Sequence, residues 1–236
     1  MNVVNYEPDA DSEMSFRVAQ LQSERINRGA RLAASRPCYS VRTMAKKIIV
    51  LLGHPDNGET YSKRIADAYE HSAREAGHEV MRVNLGALQF DPILRQGYKV
   101  IQPLEPDLVD LQNKFRAADH IVIVYPNWWN TMPAILKGLF DRFWLPGFAF
   151  NFDKQTRKVV RHLKGKTARV IIVAGTHSPF MTWWKFGDYT NEIQYGILDF
   201  AGINSKVTAF GPCDKVDNTC RDKWLTEVEV LGKKGI

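Results

Sequence analysis

The sequence predicts an α/β fold in which a doubly wound sheet of five parallel strands carries helices on both faces. Three observations predict it. Five short apolar runs rich in β-branched residues recur along the chain, as is typical of strands buried on both faces. Segments with helical spacing of apolar residues separate most of these runs, and such alternation favours a parallel sheet. A loop containing glycine or proline follows each run, as expected where a strand turns towards a helix.

The composition limits the class of protein. The 236 residues, 44% of them hydrophobic, suffice for one large domain or one domain with an appendage. The apolar runs are far shorter than the roughly 18 residues that cross a bilayer, so membrane insertion is not expected. The net charge of +6 suits anionic ligands, but no nucleic-acid motif occurs, so nucleic-acid binding is not expected. Cys38, Cys213 and Cys220 have no metal-ligand spacing, which favours reduced thiols, a cytoplasmic location and no bound metal.

Residues 1–43 differ from the remainder and are predicted to be an appendage to a domain of residues 44–236. The segment contains arginine but no lysine, and it is acidic at its start. Three interpretations stay open: a disordered or loosely helical arm, a transit-like segment, or an upstream extension before a natural start at Met44. The acidic beginning argues against the transit-like segment.

The first predicted unit is a strand, a loop, a helix and a second strand. Lys46–Leu52 is an apolar run that predicts a buried strand. Gly53–Thr60 is dense in turn-forming residues. The helix is expected to begin at Thr60, a good N-cap residue, and to end at Gly77. His78–Leu85 then contains the second strand, which completes a βαβ unit.

The middle of the chain combines a long irregular stretch with the third strand. Gly86–Asp107 contains three prolines and is expected to be a functional or disordered loop. Leu108–Ala118 predicts a helix, and His120–Tyr125 predicts a strand. Pro133–Phe143 predicts a short helix with one apolar face and with Pro133 in its first turn.

The last third supplies two more strands. Pro146–Phe152 is expected to be an aromatic loop, and Lys154–Lys166 a polar surface excursion. Ala168–Ala174 predicts the fourth strand, and Gly175–Gly187 predicts an aromatic-rich loop. A helix, the fifth strand and a last helix follow at Asp188–Ala201, closed by Gly202, then Ser205–Phe210 and Asp217–Leu231.

Loops after the first, third and fourth strands are the candidate ligand site. Ligands of open α/β sheets bind outside the carboxyl ends of the strands. The first loop carries small polar residues just before a helix N-terminus, which suits a phosphate. It has neither the dinucleotide nor the P-loop glycine pattern. Taken alone, the loop therefore fits an ordinary strand-to-helix connection as well as it fits a phosphate site.

The third and fourth loops hold four of the six tryptophans, as Trp128-Trp129 and Trp183-Trp184. Adjacent residues of an extended chain point in different directions, so at least one ring of each pair is expected to face outward. Flat apolar walls beside a phosphate-binding loop fit a planar ring ligand. This combination predicts a flavin site.

The segment Pro126–Phe150 contains a long motif made of Pro126, Trp129, Pro133, Ala134, Lys137, Gly138, Phe140, Asp141 and Arg142. With this motif the segment closely resembles the flavodoxin-like NAD(P)H:quinone oxidoreductases and their bacterial relatives among NAD(P)H dehydrogenases and potassium-efflux accessory subunits. Further matches are Gly53-His54-Pro55, Phe90-Asp91-Pro92-Ile93, Gly147-Phe148-Ala149-Phe150 and Gly196–Gly202. The resemblance runs from Lys47 to about Pro212.

The resemblance implies a flavodoxin-like flavoprotein that binds FAD, or alternatively FMN, without a covalent bond. It implies two-electron reduction of quinones by NADPH or NADH, in a ping-pong reaction through the flavin, and a homodimer. FAD would need extra room, which the long loop could supply through Phe90 or Gln96. The residues that match cofactor-binding positions are His54, Thr60, Tyr61 and Ser62 in the first loop, Pro126, Asn127, Trp128, Trp129 and Asn130 in the third, and Gly175 and Thr176 in the fourth.

The fourth loop departs from the best-known members. They carry a double glycine followed by a tyrosine and a histidine, whereas Phe186 stands here at the histidine position. His177 lies elsewhere in the same loop and is the candidate catalytic proton donor, with a purely structural role as its alternative. Two other functions stay open: reduction of azo or nitro compounds, and a flavin-binding accessory subunit of an ion-efflux system.

Overall fold

The computed structural model describes residues 44–236, and the predicted appendage of residues 1–43 lies outside them. Residues 44–236 contain seven strands: β1 Lys47–Leu52, β2 Glu79–Asn84, β3 His120–Asn127, β4 Phe150–Phe152, β5 Val159–Arg161, β6 Thr167–Ala174 and β7 Asn204–Phe210. The α-helices are α1 Tyr61–Glu75, α2 Pro106–Ala117, α3 Ala134–Phe143, α4 Pro179–Phe186 and α5 Asn218–Lys234. Two short 3-10 turns, Leu85–Ala87 and Gly97–Lys99, interrupt the long loop.

The main sheet has five strands in the order β2-β1-β3-β6-β7, and all four pairings are parallel. One face packs against α1 and α5 through a cluster that includes Ile65, Tyr69 and Val228. The other face packs against α2 and α3 through a cluster that includes Phe115 and Phe143. Helices therefore cover both faces, and the predicted doubly wound five-stranded sheet is confirmed.

Helix α1 begins and ends where its sequence predicts. The Thr60 side chain accepts a hydrogen bond from the backbone amide of Lys63, so it caps the first turn. Gly77 follows the helix with a φ of 87°, a left-handed conformation that favours glycine. The cap uses the amide of Lys63, so the amides of Tyr61 and Ser62 are the ones left without a partner within the helix.

Three connections differ from their predictions. Gly175–Gly187 contains helix α4, because Ser178 caps a turn that Pro179 begins and Gly187 ends. β4 and β5 form an antiparallel hairpin inside the predicted aromatic loop and surface excursion. The predicted helix Asp188–Ala201 is instead a π-helix, Glu192–Leu198, followed by a 3-10 turn.

Two smaller points complete the fold. Pro133 is the N-cap of α3 rather than part of its first turn, because its ψ of 143° is not helical. Within residues 44–236, no helix is both long and apolar enough to cross a membrane.

Candidate functional site

A crevice at the carboxyl edge of the main sheet brings the predicted site residues together. Two cavities, of about 420 and 430 Å³, lie side by side there. They share Asn127, Trp129, Gly175 and Thr176 in their walls, so they are two ends of one space. The residues matched to cofactor-binding positions and the candidate proton donor line one end or the other: His54, Thr60, Tyr61, Ser62, Pro126, Asn127, Trp128, Trp129, Asn130, Gly175, Thr176 and His177. Trp183 and Trp184, expected as a second aromatic wall, line neither cavity, because they lie exposed on helix α4.

The N-terminus of α1 forms one end of the crevice. Ser62 is buried there, and the backbone amides of Tyr61 and Ser62 belong to the first helical turn, where no intrahelical acceptor exists. The helix dipole adds partial positive charge at the same place. His54 stands beside this end, with its ring edge-on to Trp128 at 5.4 Å between centroids. This end of the crevice is therefore suited to an anion such as a phosphate.

The Tyr61 hydroxyl does not contribute to that anion site. It donates a 2.9 Å hydrogen bond to the backbone carbonyl of Arg221, at the start of α5. Burial raises the pKa of Tyr61 to about 12, so the phenol stays protonated. Only the backbone amide and ring edge of Tyr61 remain for the crevice.

Trp129 stands on a strained turn and borders both ends of the crevice. Trp129 and Asn130 have φ values of 53° and 66°. Trp128 and Thr131 exchange backbone hydrogen bonds of 2.9 and 3.1 Å around them, as in a two-residue type I′ turn. A bulky residue with positive φ is rare and costs about 1–2 kcal/mol. Since the Trp129 side chain is also fully exposed, packing in this chain does not explain the strain.

The other end of the crevice contains two unpaired amide oxygens. The side-chain oxygens of Asn127 and Asn130 are buried and accept no hydrogen bond. The Asn130 amide nitrogen donates to the backbone carbonyl of Phe186 at 3.3 Å, which ties the third loop to α4. Leaving a buried acceptor unpaired costs about 1–3 kcal/mol. A bound ligand with hydrogen-bond donors would satisfy both oxygens.

His177 lies at this end, between the fourth loop and α4. Its Nδ1 is 2.9 Å from the hydroxyl of Thr176, and its ring is edge-on to Phe186 at 5.9 Å. The Phe186 ring lines the same cavity, together with Thr182. The histidine is thus placed at the crevice with one ring nitrogen held by its neighbour.

Sequence reasoning did not identify the contribution of the loop after β7. Cys213 and Asp214 line the crevice near the α1 end, and Asp214 lies so close to Gly175 that an added Cβ would sit 2.7 Å from its carboxylate. Burial, followed by the charge of Asp214, raises the pKa of the Cys213 thiol to about 11. The carboxyl edge of the fifth strand was the available signal, because all parallel strands end at that edge.

The second half of the family motif, with Gly138 and Arg142, packs against the long loop Gly86–Asp107 and does not line the crevice. Arg142 is 1% exposed and binds the carbonyls of Asp91 and Pro103 and the carboxylate of Glu105. A Cβ on Gly138 would lie 2.5 Å from the Pro92 carbonyl, so only glycine lets the loop pack so closely on α3.

The two residues considered for extra room in the long loop are not in the crevice. Phe90 packs against the core instead, and neither Phe90 nor Gln96 lines either of the two cavities.

Comparisons with known proteins agree with this architecture. The family described as having a flavodoxin-like fold matches residues 46–217, more than half of the chain. An uncharacterized NAD(P)H oxidoreductase of Haemophilus influenzae is 28% identical over 186 residues, which are 75% of this chain and 89% of that protein. NAD(P)H dehydrogenase [quinone] 1 of Rattus norvegicus is 27% identical over 181 residues. These residues are 67% of this chain and 65% of the rat protein.

A solved structure gives the same result. Smu.1420 from Streptococcus mutans has a TM-score of 0.67 and 28% identity, covering 80% of this chain and 100% of that chain. The match to the family over residues 46–217 and the five parallel strands confirm the resemblance drawn from the motifs. The chain therefore belongs to the flavodoxin-like family that contains the NAD(P)H oxidoreductases.

Proposed function

We propose that the protein is a flavin-dependent oxidoreductase that transfers two electrons from NADPH or NADH to quinones. The observation that carries this proposal is the crevice itself. A helix N-terminus with free backbone amides lies at one end, and an aromatic wall with two unpaired acceptors lies at the other. The quinone as acceptor is supported by the name of the rat relative.

The crevice residues fit a flavin nucleotide in their chemistry. A flavin joins a phosphate-bearing chain to a planar ring that has both apolar faces and a ring N–H. The amides of Tyr61 and Ser62 would hold the phosphate, and the rings of Trp128 and Trp129 would border the planar ring. The oxygens of Asn127 and Asn130 lack donors, and the ring N–H would supply one. The bound flavin would supply the redox chemistry.

The protein's own residues would orient the reactants and exclude water. Trp129, on the third loop, and Phe186, at the end of α4, line the same end of the crevice and would border a planar molecule with apolar surfaces. His177 would hold a proton close to the acceptor. When Thr176 donates to Nδ1, the neutral imidazole carries its proton at Nε2 and can donate it.

A binding experiment tests the flavin assignment. The purified protein is stripped of small molecules, then titrated separately with FAD and FMN while flavin fluorescence is followed. We expect saturable binding of at least one of them, and mass spectrometry of flavin released from freshly purified protein identifies which. Absence of binding to both would overturn the proposed function.

The assembly and location form part of the proposal. Large aromatic side chains are exposed at Trp183, Trp184 and Phe152, and exposed apolar surface of this kind supports a homodimer. Sedimentation of the purified protein should give twice the chain mass of 26.9 kDa. The free thiols of Cys213 and Cys220 support a reducing, cytoplasmic location.

A further inference from the structure

We propose that Asn127 and Asn130 form an acceptor pair that binds the two-electron-reduced flavin more tightly than the oxidised flavin. The pair would raise the reduction potential of the bound cofactor. This inference rests on the proposed flavin site and assigns it a function that the aromatic wall does not have. Both residues would act as positioning residues through hydrogen bonds to the ring.

The unpaired side-chain atoms of Asn127 and Asn130 are amide oxygens. Seven buried side-chain atoms of residues 44–236 have no hydrogen-bond partner. Only two of the seven are carbonyl-type oxygens, and these two are the oxygens of Asn127 and Asn130. Both belong to residues that line the same 420 Å³ end of the crevice. The described residues therefore supply a donor to neither of these two acceptors, whose residues line one cavity.

A hydrogen bond fixes the orientation of the Asn130 side-chain amide. Its nitrogen donates to the carbonyl of Phe186, and a carbonyl cannot accept from the amide oxygen. The two groups of Asn130 are therefore not interchangeable by a flip, and the oxygen is the group left for a ligand. The φ of 66° also suits asparagine, one of the few residues that tolerate this conformation.

Asn127 is placed by the sheet. It is the last residue of β3 and pairs with Ala174, the last residue of β6, at the carboxyl edge. Its side chain borders both ends of the crevice. The strand thus fixes one acceptor while the turn fixes the other.

The number of N–H donors on the flavin ring differs between its oxidised and reduced forms. The ring system of an oxidised flavin carries a single N–H, whereas the two-electron-reduced ring carries at least one more. Two buried acceptors can both be satisfied by ring donors only when the ring is reduced. Because an unsatisfied buried acceptor is costly, the pair favours the reduced form, and the potential of the bound flavin rises.

The test uses three variants of the full chain. Asn127→Leu removes one acceptor, and Asn130→Gly removes the other while keeping a residue that tolerates positive φ. Asn113→Leu is the matched control, since Asn113 is exposed on α2 and away from the crevice. For each protein, the dissociation constant of oxidised FAD is measured by fluorescence, and the midpoint potential of bound FAD by anaerobic equilibration with a reference dye.

We expect each crevice variant to weaken binding of reduced FAD about ten-fold more than binding of oxidised FAD. A ten-fold difference lowers a two-electron potential by about 30 mV. The control should match the wild type. A potential that stays unchanged in both crevice variants would overturn the inference, whether or not oxidised FAD binds more weakly. If the wild type binds no flavin, the proposed function fails first, and that outcome is distinguishable from the failure of the inference.

Discussion

The guanidinium of Arg142 donates a 2.9 Å hydrogen bond to the carboxylate of Glu105, across 37 residues of sequence. Arg142 is almost completely buried, whereas the side chain of Glu105 is 28% exposed. Together with the carbonyls of Asp91 and Pro103, Glu105 satisfies a charge that would otherwise be unpaired in the interior. This pair ties the long loop to α3, whose N-terminus follows the turn that carries Trp129.

Glu105→Gln should destabilise the protein by about 1–2 kcal/mol. Breaking a fully buried ion pair costs more, but partial exposure of Glu105 reduces the loss. Urea denaturation at pH 7 measures the effect, with Asp110→Asn as the control. Asp110 pairs with Lys114 on the exposed face of α2, so its loss should cost less than about 0.5 kcal/mol. Equal losses in the two variants would contradict the role assigned to Glu105.

The same pair predicts a pH dependence. Desolvation alone would raise the pKa of Glu105, but the Asp91 amide and the Arg142 guanidinium outweigh it and hold the pKa below its usual value of 4.5. A carboxyl whose pKa is lower in the folded state stabilises the protein above pH 4.5, and this contribution is lost as the pH falls below that value. The stability gap between wild type and Glu105→Gln should therefore narrow from pH 7 to pH 3. A gap that does not change with pH would count against this assignment.

Thr60→Asp should distinguish binding of the ligand's phosphate from binding of its ring. Aspartate remains a good N-cap, so the fold should persist. Its charge would repel a phosphate at the α1 N-terminus by about 3 kcal/mol at about 5 Å and an effective dielectric of about 20. We expect FAD to bind at least ten-fold more weakly and riboflavin, which has no phosphate, to bind as before. Thr60→Ser is the neutral control, and an equal effect on FAD and riboflavin would disprove the placement.

Tyr61→Phe should leave FAD affinity unchanged within about two-fold. The phenol is bonded to the Arg221 carbonyl, so its loss should cost about 1 kcal/mol of folding free energy and no ligand contact. Fluorescence titration and urea denaturation measure the two quantities. A large loss of affinity in the correctly folded variant would show that the hydroxyl contacts the ligand.

Trp129→Gly should reduce FAD affinity about ten-fold while changing stability by less than about 1 kcal/mol. Glycine relieves the strain at positive φ, and the fully exposed indole loses no burial in the free protein. Trp224→Leu should lower the stability and leave FAD affinity unchanged, because Trp224 stacks on Phe210 at 5.6 Å and lies outside the crevice. The two variants would be indistinguishable in FAD affinity if Trp129 did not border the ligand.

Local signals in the sequence were sufficient to predict the sheet and the position of the crevice. Each buried strand is a short apolar run, and the Thr60 cap and Gly77 mark both ends of α1. Because parallel strands end at one edge, the loops after them had to meet. The placement of the predicted loop residues in a single crevice follows from this rule.

Other features depend on contacts that no local pattern records. Helix α4 carries aromatic residues on most of its surface and buries only Thr182, so it lacks the one-sided apolar pattern of a core helix. The link between Arg142 and Glu105 joins distant segments. The strained conformation of Trp129 is likewise set by the turn around it, and a tryptophan in that position is not predicted from propensity.

One anaerobic experiment tests the central claim most directly. The protein loaded with FAD is mixed with NADPH or NADH, its absorbance near 450 nm is followed, and menadione is then added. We predict that the flavin absorbance bleaches with at least one of the two donors and returns on addition of menadione, at a rate that supports turnover. A flavin that neither donor reduces, or that menadione fails to reoxidise, would contradict the assignment as an NAD(P)H-dependent quinone reductase.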